Sequence, residues 1–172
     1  MGCYLWGWRI FGPKIFGFFP GCFGILPPAM TGRSMPDYIR GLLDHLPPRF
    51  AVSGYDLGGF GAMELLHKVP DRVTRIALIA TNALADTPQE SAAREADITK
   101  ARAGCGHSVI EERSLTSIGN GPLRAGALQI VRDMALGLGP DVMVEQLRAI
   151  QKRSDHQSTL RKCRVPAAAI CG

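Results

Sequence analysis

The stretch FAVSGYDLGGFGAMELLHKV, Phe50 to Val69, sets one acid, Asp56, among glycines where a short apolar run gives way to a helix-like pattern. An aspartate is ionised at neutral pH, so its oxygen can attack an electrophile without a base to deprotonate it. The same residue tolerates left-handed backbone and caps helices well, so it also suits a turn that performs no chemistry. On the residues alone both readings stand.

The other reactive side chains are scattered. Cys3, Cys22, Cys105, Cys163 and Cys171 are odd in number and irregular in spacing, with no C-x-x-C pair and no clustered histidines. That pattern predicts reduced core thiols in a cytoplasmic compartment rather than a metal site or a disulfide framework, and neither a metal nor a cofactor is expected. His45 and His67 fall near apparent helix ends, where an imidazolium meets the helix dipole favourably and a surface position suffices. His107 and His156 lie in a later helical stretch, and the adjacency of Asp155 to His156 does not by itself aim an acid at an imidazole.

The elements that must position Asp56 follow from hydrophobic pattern and punctuation. RFAVSG, Arg49 to Gly54, and RVTRIALIAT, Arg72 to Thr81, read as strands buried in a sheet. Between them Phe60, Met63, Leu66 and Val69 recur near helical spacing until Pro70 stops them. Strand, tight turn, helix and strand make a βαβ unit, which requires parallel strands and an α/β fold. From Thr87 to about Arg161 the chain reads as a run of helices, starting at Thr87-Pro88 with Glu90 in the first turn and interrupted at Gly137 to Asp141. The closing segment CRVPAAAICG reads as one more buried strand.

Composition bounds the function classes. With 172 residues, 46% hydrophobic and 20% charged, the chain suits one ordinary globular domain with a real core. A net charge of +5 comes from scattered Lys and Arg without a basic block, so no nucleic-acid partner is expected. The aromatic opening, residues 1–30, is broken by glycines, prolines, Arg9 and Lys14. It lacks the roughly 20 uninterrupted apolar residues of a membrane helix, and a clean secretory or myristoylation signal. It is expected to form buried strand and loop or to be poorly ordered, with no membrane role.

The span from about Phe50 to Gly172 resembles the α/β-hydrolase superfamily, on the residues PPRFAVSGYDLGGFGAMELLHKVPDRVTRIALIAT. The resemblance implies a partial α/β-hydrolase fold: a short, mostly parallel sheet with flanking helices and a helical lid insertion. Residues 1–86 would be the N-terminal part of the core, 87–162 the lid, and 163–172 a returning strand. Asp56 would stand at the nucleophile elbow, where Gly54, Tyr55, Gly58 and Gly59 shape the turn and small neighbours let strand and helix approach. The Leu57 N–H would serve the oxyanion hole. The segment FFPGCF, Phe18 to Phe23, resembles the strand end and oxyanion loop, with the Cys22 or Gly21 N–H as second donor.

Most members carry serine at that tip. A carboxylate there is similar to haloalkane dehalogenases and epoxide hydrolases, in which it attacks an sp³ carbon and forms an ester that water splits. This chain departs from both: Leu57 stands where dehalogenases carry tryptophan, and Tyr4, Tyr38 and Tyr55 all precede the lid in which epoxide hydrolases hold their tyrosines. The resemblance implies a hydrolase for a small apolar ester, lactone or carbon–halogen substrate. The alternative is an inactive relic that binds a small molecule without turnover. The family's acid and histidine are expected beyond Gly172, and a homo-oligomer is expected to cover exposed sheet edges.

Overall fold

In the computed structural model, residues 3–6 and 34–171 are described. Among them four strands form one sheet in the order β1 (Cys3–Trp6), β2 (Phe50–Tyr55), β3 (Val73–Ile79), β4 (Ala167–Ile170), and every pairing is parallel. Parallel neighbours need crossovers, and helices supply them. Helix α1 (Met35–Leu43) precedes β2, and α2 (Leu57–Lys68) joins β2 to β3. Tyr55 pairs with Ile79 and Ile79 with Ile170, so the strands end level at one rim of the sheet. In open α/β sheets that carboxyl-end rim is where ligands bind.

Each helix near the sheet has a local cause. In α1, Ser34 caps the start by accepting from the Asp37 N–H, Pro36 sits in the first turn, and Met35, Tyr38, Ile39 and Leu42 bury one stripe. Arg72, entering β3, closes the other end by donating to the carbonyls of Leu43, Leu46 and Pro47 at 2.7–3.2 Å. Helix α2 is buried on all sides from Leu57 to Leu66, Glu64 included. Its Phe60, Met63 and Leu66 join Phe50, Val52, Val73 and Ile76 in a single core.

Between β3 and β4 lies a helical block: α3 (Pro88–Lys100), a π-helical turn (Ala101–Cys105), α4 (Gly106–Ser117), α5 (Arg124–Gln151) and α6 (Gln157–Arg161). The expected start holds as a full capping box, with the Thr87 hydroxyl accepting from the Glu90 N–H and the Glu90 carboxylate accepting from the Thr87 N–H. The expected interruption falls inside α5, where Gly139 takes φ 76° and Pro140 follows. Arg148 of α5 grips Glu95 of α3 through both guanidinium nitrogens, and Gln151 donates to the Ser91 carbonyl at 2.9 Å.

Two expectations are corrected. Strand β4 is not buried: all four of its residues are exposed, because it forms the sheet edge and carries no covering helix among the described residues. Cys105 and Cys171 are free and exposed rather than core thiols, while Cys163 is free, half-buried and packed against the core. Cys105 ends the π-helical turn and Cys171 follows the edge strand, both positions without apolar cover. The strand beside β2 is Cys3–Trp6, while the strand end and oxyanion loop were expected at Phe18 to Phe23. That segment, with Gly21 and Cys22, lies outside the described residues. Among the described residues no helix is long and apolar enough to cross a membrane.

Candidate functional site

Asp56 sits between the last residue of β2 and the first of α2 with φ 47° and ψ −112°. A side chain rarely adopts that backbone, and holding it there costs on the order of 1–3 kcal/mol that the surroundings must offset. They do so by crowding and by hydrogen bonds. A Cβ added at Gly54 would lie 2.2 Å from the Gly58 carbonyl oxygen, so only glycine lets β2 pass this close to α2. At Gly59 an added Cβ would come 2.4 Å from the Thr81 Cγ2.

The backbone of Asp56 is pinned from both directions. Its N–H donates to the Ile79 carbonyl at 3.0 Å, and its carbonyl accepts from the Thr81 hydroxyl at 3.0 Å and the Gly59 N–H at 2.9 Å. Leu57 opens α2, so its N–H belongs to the first-turn donors that have no acceptor within the helix. Ala80, one residue past β3, takes φ 48° and donates its N–H to the Ile170 carbonyl at 2.8 Å. Among the described residues Asp56 and Ala80 are the non-glycine positions with positive φ, and both lie on the same rim of the sheet. The side chain of Asp56 is half-buried and Tyr55 is exposed.

Beside this rim is a buried charge network. Asp86 is shared by two arginines: Arg94 donates to both carboxylate oxygens, and Arg153 Nη2 meets Oδ1 at 3.0 Å. The Asp86 and Arg153 side chains are only 1% and 5% exposed. The Arg153 guanidinium also lies 4.3 Å from the centre of the Phe60 ring, in the first turn of α2, and its Nε donates to the Leu84 carbonyl at 2.6 Å. Burial pushes Arg153 below the ordinary arginine range, and Asp86, Glu90 and Asp56 oppose that shift while Arg94 adds to it.

A second cluster occupies the far end of α2. Glu64 and His156 are both buried and meet at 3.1 Å, Oε2 to Nε2. His156 Nδ1 lies 3.4 Å from the Thr159 hydroxyl, which also reaches His67 Nδ1 at 3.3 Å. The hydrogen bond with His156, more than Lys68 at 3.4 Å, holds the Glu64 carboxyl below its ordinary range against the opposing effect of burial. Asp155 is turned elsewhere and accepts from the Gln157 N–H at 2.9 Å. His45, His67 and His107 are exposed. Among the described residues no three His, Cys, Asp or Glu side chains are grouped so as to hold a metal ion.

The structure therefore brings Gly54, Tyr55, Asp56, Leu57, Gly58 and Gly59 into one turn, and it adds Thr81, Asp86 and Arg153, which sequence reasoning missed. Glu64 carried a signal, as an acid inside a run that is otherwise apolar; Arg153 carried none, because its partners are distant in sequence.

No protein-family model and no curated protein matches the sequence. Solved structures do match the fold. An esterase from Thermogutta terrifontis is similar at 19% identity and a TM-score of 0.75, over 100% of this chain and 71% of that one. The enol-lactonase from Burkholderia xenovorans LB400 is similar at 19% identity and a TM-score of 0.76, over 99% and 72%. The bottromycin epimerase BotH is similar at 14% identity and a TM-score of 0.60, over 99% and 81%. At such identities the likeness is one of fold, which hosts more than one kind of chemistry.

Proposed function

We propose that this chain, which has a partial α/β-hydrolase fold, is a hydrolase for a small apolar ester, lactone or carbon–halogen substrate, with Asp56 as the attacking group of a nucleophile elbow. The supporting observation is the retained strain: an aspartate held at φ 47° by two sterically obligatory glycines and by Thr81, on the rim where such sheets bind ligands. On a haloalkane, an Asp56 oxygen forms a new C–O bond while the C–X pair departs with the halide. Water then splits the resulting ester, releasing the alcohol and restoring the carboxylate. On an ester or lactone, the same attack expels the alkoxide and leaves an acyl anhydride for water to open.

Charge developing on a carbonyl oxygen would be met by the Leu57 N–H, with the Cys22 N–H as the expected second donor. On this reading the helical block after β3 serves as the lid, residues 87–162 of the expected division.

One observation favours a second reading, a binding module without turnover. His156 is committed to Glu64 and Thr159, and Glu64 is eight residues along α2 from Asp56, about 12 Å at the rise of an α-helix. Halide release from a bromoalkane and phenol release from an aryl acetate discriminate the two. Turnover lost in Asp56→Asn supports the hydrolase. Folded protein that releases neither product, even as Asp56→Ser with the ester, supports the binding module.

A further inference from the structure

We infer that Thr159, His156 and Glu64 form a second nucleophilic site, separate from Asp56, in which the Thr159 hydroxyl takes the acyl group of a small activated ester. The inference goes beyond the reading of Asp56 and does not rest on it.

The contacts run in one line from an acid to a hydroxyl. Glu64 Oε2 lies 3.1 Å from His156 Nε2, and His156 Nδ1 lies 3.4 Å from Thr159 Oγ1. An imidazole that donates its Nε2–H to a carboxylate presents a lone pair at Nδ1, so Nδ1 is the nitrogen that can take the hydroxyl proton. Glu64 stays ionised for that role, because the hydrogen bond with His156 holds its carboxyl below the ordinary range. Acid, imidazole and hydroxyl in this order make a nucleophilic triad, which is recognised by geometry and roles rather than by sequence position; here the two ring nitrogens have exchanged partners.

Burial grades along the line in the direction such a site needs. The Glu64 and His156 side chains are both 5% exposed, Thr159 is half-buried, and His67, whose Nδ1 lies 3.3 Å from the same hydroxyl, is exposed. The base is sheltered and the nucleophile stands where solvent begins. His67 approaches the Thr159 oxygen from the solvent side, where its N–H steadies the charge that oxygen gains. His156 is also fixed through its backbone: its N–H donates to the Ala83 carbonyl at 2.7 Å and its carbonyl accepts from the Leu160 N–H at 2.9 Å. A base held in this way is oriented before any substrate arrives. Joining α6 to α2 needs only the contact of His156 with Glu64; the hydroxyl set between two imidazoles is what adds chemistry.

In the reaction, the Thr159 Oγ1 proton passes to His156 Nδ1 while Oγ1 bonds to the acyl carbon, and the bond to the leaving oxygen breaks with its electron pair as an aryl oxide. His156 returns the proton to solvent. Water then splits the acyl-threonine, releasing the carboxylic acid and restoring the hydroxyl.

The test treats wild type, Thr159→Val, Thr159→Ser and Glu64→Gln with 4-nitrophenyl acetate, reading acid-quenched samples by intact mass and peptide mapping and following nitrophenol release alongside. The expected result is an acetyl group on Thr159 in wild type, absent in Thr159→Val and restored in Thr159→Ser. Folded Glu64→Gln, whose side chain keeps its shape but not its charge, should acetylate about 100-fold more slowly. Should water split the acyl-threonine too fast for it to accumulate, nitrophenol release that falls in Thr159→Val and recovers in Thr159→Ser supports the same site. Acetyl groups on lysines alone, with nitrophenol release unaltered in Thr159→Val, overturn the inference, as does a Glu64→Gln rate equal to that of the wild type. Mapping keeps the two sites apart: an alkyl group from 1-bromobutane on the peptide containing Asp56 reports on the elbow, and an acetyl group on Thr159 reports on this cluster, so either reading can fail while the other stands.

Discussion

At the scale of single residues, the turn at Asp56 is where the sequence was most legible. Glycines around an acid after a strand signature mean a tight passage, and the structure gives each its reason: Gly54 faces the Gly58 carbonyl, and Gly59 faces Thr81. The obstacle at Gly54 is backbone, which cannot rotate away. Gly54→Ala is therefore expected to lower stability by about 3 kcal/mol, at the upper end of overpacking costs, read as a fall in the urea midpoint with an unchanged slope. An unshifted midpoint would mean that β2 and α2 are not in contact there. Thr81→Val removes the hydroxyl held to the Asp56 carbonyl. It should cost about 1 kcal/mol, and under the nucleophile reading it should slow turnover more than it weakens substrate binding. What the residues did not reveal was the partnership of Asp86 with Arg94 and Arg153, because no pattern in sequence links an arginine after α5 to a carboxylate before α3.

At the scale of elements, strands β2 and β3 and helix α2 follow from apolar runs and the Pro70 stop, and the helical block from Thr87-Pro88 and Gly139-Pro140. Strand β1 did not: Cys3–Trp6 is four residues inside an opening where aromatics and glycines recur throughout, so no single strand stands out by a period of two. The pairing of α2 with the end of the block was also hidden, since Glu64 and His156 meet only in three dimensions. Its pH behaviour has a definite sign. The Glu64 carboxyl is held below its ordinary value of 4.5 when folded, chiefly by the hydrogen bond from His156. The unfolded chain therefore binds more protons in that range, and the contribution is fully present above pH ~4.5 and lost as pH falls through the folded value. Glu64→Gln should lower stability at neutral pH by about 2 kcal/mol through the weakened buried hydrogen bond with His156. Its stability should also decline less steeply than that of the wild type on acidification below that value. Parallel acid limbs in the two proteins would contradict this assignment.

At the scale of the whole molecule, the sheet among the described residues ends on β4, whose four residues are exposed and whose Ile170 is 55% exposed. An uncovered apolar edge strand is a template for pairing, and the burial forgone there is of the same order as a domain's net stability. Association between copies is accordingly expected to rise with concentration in sedimentation velocity, and Ile170→Lys should shift the distribution toward monomer. A monomer at every concentration would show that the edge is tolerated bare. All of this matters for function only if Asp56 is what attacks. The most direct measurement is the intact mass of the folded chain after incubation with a haloalkane, followed by mapping of the modified peptide. The account predicts the gain of one alkyl group on the peptide containing Asp56, and no gain in Asp56→Asn. Unmodified wild-type protein that also releases no halide would contradict it.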